Sequence, residues 1–150
     1  MRRLLALMLA MLSVLALSAC TPKPVQHGMQ TADGVTALVS TLTEGETVTV
    51  TVTLTNGGGS LLWLTAPELT DGSTATAHYL QLSLDGSAGA RSGLHETGEM
   101  RRMRLDGRES YVESCAFTGI TLPATLSVTW QKADSIDGPF TETTLIFPLE

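Results

Sequence analysis

Residues 46–56 read E-T-V-T-V-T-V-T-L-T-N, with Val48, Val50, Val52 and Leu54 alternating with threonine. Alternation at period two cannot gather four apolar side chains on one side of a helix, and β-branched residues favour a half-buried pleated surface. The segment is a strand with one buried face and one wet face. The rest of the chain has to supply sheet that covers the buried one.

The punctuation of the chain agrees. Asp33-Gly34, Asn56-Gly57, Asp71-Gly72, Asp85-Gly86, Asp106-Gly107 and Asp137-Gly138 separate stretches of strand-like composition, and such pairs supply the positive φ angles of tight turns. Residues 35–42 make a first strand, turned by Glu44-Gly45 into the alternating one as a hairpin or a crossing between sheets. Residues 56–60 are a mobile loop, followed by the apolar strand 61–64. Leu80, Leu82 and Leu84 share one face of residues 79–84, and the glycine-rich residues 87–98 are the longest loop. Residues 100–105 and 110–117 look like a hairpin around Asp106-Gly107. Leu126, Val128 and Trp130, then Leu145, Phe147 and Leu149, mark two last strands, and Pro148 puts the final one at an edge or at its end.

At 150 residues and 43% hydrophobic content the chain suits one domain with one core. Seven or eight strands across residues 35–150 without a helical stretch predict an all-β fold, a single antiparallel sandwich; a small barrel is the alternative.

The N-terminus has a different character. Arg2 and Arg3 precede a run of Leu, Ala, Met and Val that ends on Leu17-Ser18-Ala19-Cys20. A short basic region before an apolar run too short to cross a bilayer is an export signal. Its closing residues resemble the lipobox of bacterial lipoproteins. That resemblance implies cleavage before Cys20 and acylation of Cys20, so residues 1–19 are the signal and Cys20 the lipidated first residue. Two or three acyl chains hold a soluble domain on a bilayer where one holds it only marginally. Thr21 stands where the family's inner-membrane retention signal has Asp, which implies the outer membrane, facing the periplasm, in a two-membrane host and the cell surface otherwise. Residues 20–34, with two prolines and two glycines after Cys20, are expected to be a flexible tether.

Residues 46–64 resemble the second and third strands of bacterial immunoglobulin-like domains, which implies that architecture for the sandwich. The family's antibody-type hallmarks do not carry over. Cys115 has no partner once Cys20 is lipidated, and Tyr111 stands four residues before Cys115 rather than two.

Chemistry is sparse. His95-Glu96-Thr97-Gly98-Glu99 opens like a helical zinc-protease motif, but Glu99 replaces the second histidine and glycines flank the segment, so it is a solvated loop. A nucleophile elbow, a phosphate-binding glycine loop and a Cys-x-x-Cys pair are all missing. The expectation is therefore no enzyme, no catalytic residue, no cofactor and no bound metal. The alternative is a periplasmic metal-handling or small-ligand-binding lipoprotein, with His95, Met100 and Met103, and His27 and Met29 of the tether, as soft ligands for Cu(I). On a strand Met100 and Met103 point to opposite faces, which argues against a shared ion; Met103 suits the core.

Removing Arg2 and Arg3 leaves seven basic against 15 acidic residues, a formal charge of −8, which argues against nucleic acid as a partner. Five of those seven are Arg91, Arg101, Arg102, Arg104 and Arg108. Arg101, Arg102, Arg104 and Arg108 either dock another envelope protein or an anionic envelope polymer, or guard an edge strand against pairing; the second reading is preferred. The sequence thus describes a lipid-anchored, non-catalytic envelope protein acting as a binding, assembly or scaffold module, tied to the membrane through its lipid. A protease inhibitor presenting residues 56–60 is a further alternative.

Overall fold

The computed structural model describes residues 22–150. The signal segment 1–19 and Cys20 lie outside the described residues. Ten strands follow in order: β1 (Val25–Ala32), β2 (Val35–Glu44), β3 (Thr47–Asn56), β4 (Leu62–Thr70), β5 (Ala75–Ala77), β6 (Gln81–Leu84), β7 (His95–Leu105), β8 (Ser110–Thr118), β9 (Ala124–Ala133) and β10 (Thr141–Leu149). They form two antiparallel sheets, one of four strands in the order β1-β2-β3-β8 and one of six, in which β10-β9-β4-β5 is extended by β6 on β9 and β7 on β4. The sheets share one core, so the sandwich expected from the sequence is the fold.

The alternating segment is the centre of the four-stranded sheet. Val48, Val50, Val52 and Leu54 are 0–1% exposed, and β2 turns Val35, Ala37 and Val39 the same way. Each such side chain contributes on the order of 1.5–3 kcal/mol by leaving water. They meet Leu64, Leu126, Val128, Trp130 and Phe147 of the other sheet. The turn at Glu44-Gly45 closes a hairpin, with Glu44 opposite Thr47.

Three expectations are corrected. The region read as a tether, residues 20–34, holds β1, which pairs with β2 from Val25↔Thr41 to Ala32↔Val35. Asp33 (φ 51°) and Gly34 (φ 76°) form the two-residue turn of that hairpin. Most of β1 is exposed on both faces, so it has no apolar period to read and is held by backbone pairing, with Gln30 Nε2 donating to Ile146 O of β10 at 2.7 Å. Secondly, the long loop ends early: after a 3-10 turn at Gly89–Arg91 the chain enters β7 at His95, an edge strand with a bulge opposite Pro67 and Leu69. Thirdly, β7 and β8 are not a hairpin. β7 pairs with β4 and β8 with β3, so Asp106-Gly107 carries the chain from one sheet to the other.

Asn56 holds that crossing. Its side-chain amide donates to Ser60 O at 2.7 Å and to Leu105 O and Asp106 O at 3.2 Å, while its Oδ1 accepts from Gly58 N at 3.1 Å. The loop read as mobile is thus pinned at its base by a side chain 3% exposed.

Candidate functional site

The arginines do not gather into one patch. In β7, Met103 packs on the core and Leu105 is buried, so Arg102 and Arg104 turn outward, as their alternation predicts. Arg102 lies 5.6 Å from the Phe140 ring centroid, and Arg104 is paired with Asp106 at 2.8 Å. Arg101 faces the other way. It pairs with Glu68, which continues the buried row Leu62, Leu64, Ala66 of β4 and is 8% exposed. Arg108 sits in the turn between the sheets at φ 69°, its amide donating to Asn56 O. Two of the four are therefore occupied by acidic neighbours, and the set spans two faces and one end of the domain. β7 has a strand on one side only, which is where an edge guard has to stand.

The copper ligands do not gather either. Met100 is 52% exposed on the outer side of β7, opposite in direction to Met103, and His27 Nε2 is hydrogen-bonded to Thr41 at 2.7 Å. Among the described residues no group of three or more His, Cys, Asp or Glu side chains is placed to hold a metal ion.

The densest constellation is one the sequence reading missed. Glu113 of β8 turns inward beside Cys115 and Phe117 and is 6% exposed. Its Oε1 contacts His78 Nδ1 and lies 2.6 Å from Arg91 Nη2; its Oε2 accepts from the Tyr111 hydroxyl at 2.7 Å and from Leu80 N at 3.2 Å. The Arg91 contact is ionic rather than a directed hydrogen bond, since Nη2 finds no acceptor in hydrogen-bonding geometry, whereas Nη1 donates to Leu80 O at 2.5 Å. Tyr79 completes the group, its ring edge-on to that of Tyr111 with centroids 5.6 Å apart.

Three separate stretches supply these groups. β8 provides Glu113 and Tyr111, the link from β5 to β6 provides His78 and Tyr79, and the 3-10 turn provides Arg91. A signal for Glu113 was present: it shares the parity of Cys115 and Phe117, which marks it as inward. None existed for His78 or Arg91, whose partner is far away in the chain.

Above the cluster the six-stranded sheet divides. β9 pairs with β4 only over Trp63–Thr65, and from Thr129 to Leu126 its partner is β6. The gap is a cleft of about 370 Å³ whose lining includes His78, Arg91, Glu96, Ser127 and Thr129 together with the apolar Pro67, Leu69 and Leu82. That volume is in the range of small-molecule sites. Arg91 is already neutralised by Glu113, and the carboxylate's oxygens are all in use within the chain. The cluster therefore ties two connecting segments to β8.

No protein-family model and no curated protein matches this chain.

Burial, the hydrogen bond to Glu113 and the charge of that carboxylate all push the Tyr111 phenol well above its usual value, and burial pushes Tyr79 up as well. A phenol whose pKa is raised by folding adds stability that is fully present below the unfolded value near ~10 and is lost as pH rises through the higher folded value. The protein has two tyrosines. In an ultraviolet titration, native protein should therefore show less tyrosinate than two free phenols where a free phenol ionises. The rest of the signal should come later, the Tyr111 part together with unfolding, and Tyr111→Phe should remove that part. A full two-tyrosine transition at the free-phenol pH would contradict the burial.

Proposed function

We propose that the mature protein is a lipid-anchored, non-catalytic module of the bacterial cell envelope that serves binding, assembly or scaffolding. The observation that carries this reading is the sequence Leu17-Ser18-Ala19-Cys20 after an apolar run, and the start of β1 sets how close the domain would then sit to the bilayer. Only four residues separate Cys20 from Val25, where β1 begins, so a lipid on Cys20 holds the sandwich within about 17 Å of contour from the bilayer surface. A domain tethered that closely has little freedom to search and meets whatever shares its membrane. The Glu113 cluster supports the non-catalytic part of the reading, because Glu113, His78, Arg91 and Tyr111 are engaged with one another. Localisation follows from the same proposal: the outer membrane facing the periplasm in a two-membrane host, the cell surface in a one-membrane host.

The test is fractionation of cells grown with labelled palmitate. The wild-type chain should carry label and sediment with membranes, and Cys20→Ser should leave an unlabelled precursor or a soluble product. Unlabelled, soluble wild-type protein would end the proposal. A second reading, a small-ligand-binding lipoprotein, is favoured by the cleft beside His78 and Arg91.

A further inference from the structure

The outer face of the four-stranded sheet carries almost no charge. Its threonines on β3 are flanked by Thr36, Leu38, Ser40 and Leu42 of β2 and by the outward residues of β8, and Glu44 at one corner is the one charged side chain among the strand positions of this face. The outer face of the other sheet is different, with Arg102, Arg104 and Glu142 on it. In a chain of formal charge −6, a solvated sheet face whose strands carry a single acid, Glu44 at a corner, is an asymmetry that solubility alone does not require.

Several hydroxyls on this face pair with one another. Thr51 with Ser114, Thr55 with Ser110, and Thr31 with Thr36 are each 2.8 Å apart. Groups that already have partners lose little when water is removed, and away from the Glu44 corner no ion has to be desolvated. One row also runs straight across the sheet, Met29↔Leu38↔Thr53↔Val112, and both of its ends are exposed apolar side chains, Met29 at 67% and Val112 at 56%.

We propose that this face is the contact between two copies of the chain, related by a two-fold axis that runs along the strands between β2 and β3. Such an axis lays β1 of one copy over β8 of the other, so Met29 meets the second copy's Val112 and Leu38 meets its Thr53. It also leaves the start of β1 at the same end in both copies, so both leaders reach one membrane. An axis across the strands would send the leaders to opposite ends. Four strands of about nine residues cover roughly 570 Å² at ordinary strand spacing and rise. Two copies together then bury roughly 1,100 Å², close to the floor for a specific interface. A contact of that size is weak between free molecules and effective between molecules confined to one surface. This inference rests on the lipid-anchor reading for its strength, and for its geometry only on the sheet.

The experiment uses full-length chains in a Cys115→Ala background, with one population carrying Met29→Cys and the other Val112→Cys. Within one copy these positions are about 14 Å apart, three strand spacings, which is too far for a disulfide, so any bond joins two copies. Mild oxidation of membranes from cells producing both should give a dimer. Either variant alone should give far less, because the axis holds Met29 away from its own symmetry mate. Adding Thr53→Arg to both should lower the yield by about tenfold by placing like charges at the contact, with the melting temperature unchanged. No mixed dimer from membrane-bound protein overturns the pairing and leaves the anchor standing. Equal dimer from either variant alone, or from Thr129→Cys on the opposite face, means random collision and overturns it too. Labelled-palmitate fractionation of the same cells reports separately on the anchor.

Discussion

Gly89→Ala is expected to cost about 3 kcal/mol or more and to lower the melting temperature by roughly 10 °C, as the sum of a left-handed backbone penalty and overpacking. Gly89 opens the 3-10 turn at φ +59°, and a Cβ there would sit 2.5 Å from Ala116 O and 2.7 Å from Phe117 Cδ1. Two of those neighbours cannot yield. Ala116 O belongs to the β8 backbone, and Phe117 is 0% exposed in the middle of the core. The turn lies this close because it packs along β8, where the Cys115 thiol is 3.6 Å from Ala88 O. Gly93 is the control. It has open space around it, and Gly93→Ala should change stability by no more than about 0.5 kcal/mol. Equal melting temperatures for the two variants would show that the turn does not rest on β8, and with it would go the placement of Arg91 beside Glu113.

That contact also explains what the sequence could and could not reveal. Where a strand has one buried face, the period is written in the residues, and β2, β3, β6 and β9 are legible for that reason. β1 and most of β7 are exposed on both sides, so pairing rather than burial makes them strands, and pairing partners leave no local trace. An Asp-Gly pair announces a turn but not its destination. Asp106-Gly107 reads like the hairpin turn at Asp33-Gly34, yet it sends the chain to the other sheet, because Asn56 gathers the carbonyls of Leu105 and Asp106 from a strand some 50 residues away. The candidate arginines divide in a related way. Neighbours in sequence lie on opposite faces of a strand, so Arg101 left its group for Glu68 while Arg102 and Arg104 stayed outside. The parity that separates them was readable; the partner that claims Arg101 was not.

Glu113 puts the structural reading of the polar cluster to its sharpest test. Removing its carboxylate in Glu113→Ala strands the Arg91 guanidinium, whose side chain is 11% exposed, and takes the acceptor from Tyr111 and from Leu80 N. Breaking one side of a buried ion pair costs about 3–5 kcal/mol, chiefly because the remaining charge stays buried. Arg91→Met should destabilise for the mirror reason, less severely, because His78 and the Tyr111 hydroxyl still face the carboxylate. The double variant Glu113→Ala with Arg91→Met leaves neither charge behind, and it should be more stable than the sum of the single losses by about 1–3 kcal/mol. Chemical denaturation of the four proteins measures all of this. A cluster kept for ligand binding or catalysis would behave in the opposite sense, since charges held together for function strain the fold and their removal tends to stabilise it. A gain in stability on Glu113→Ala would therefore move the functional site to the cleft above His78 and Arg91, while a large loss that the double variant partly restores would establish Glu113 as the post to which both connecting segments are tied.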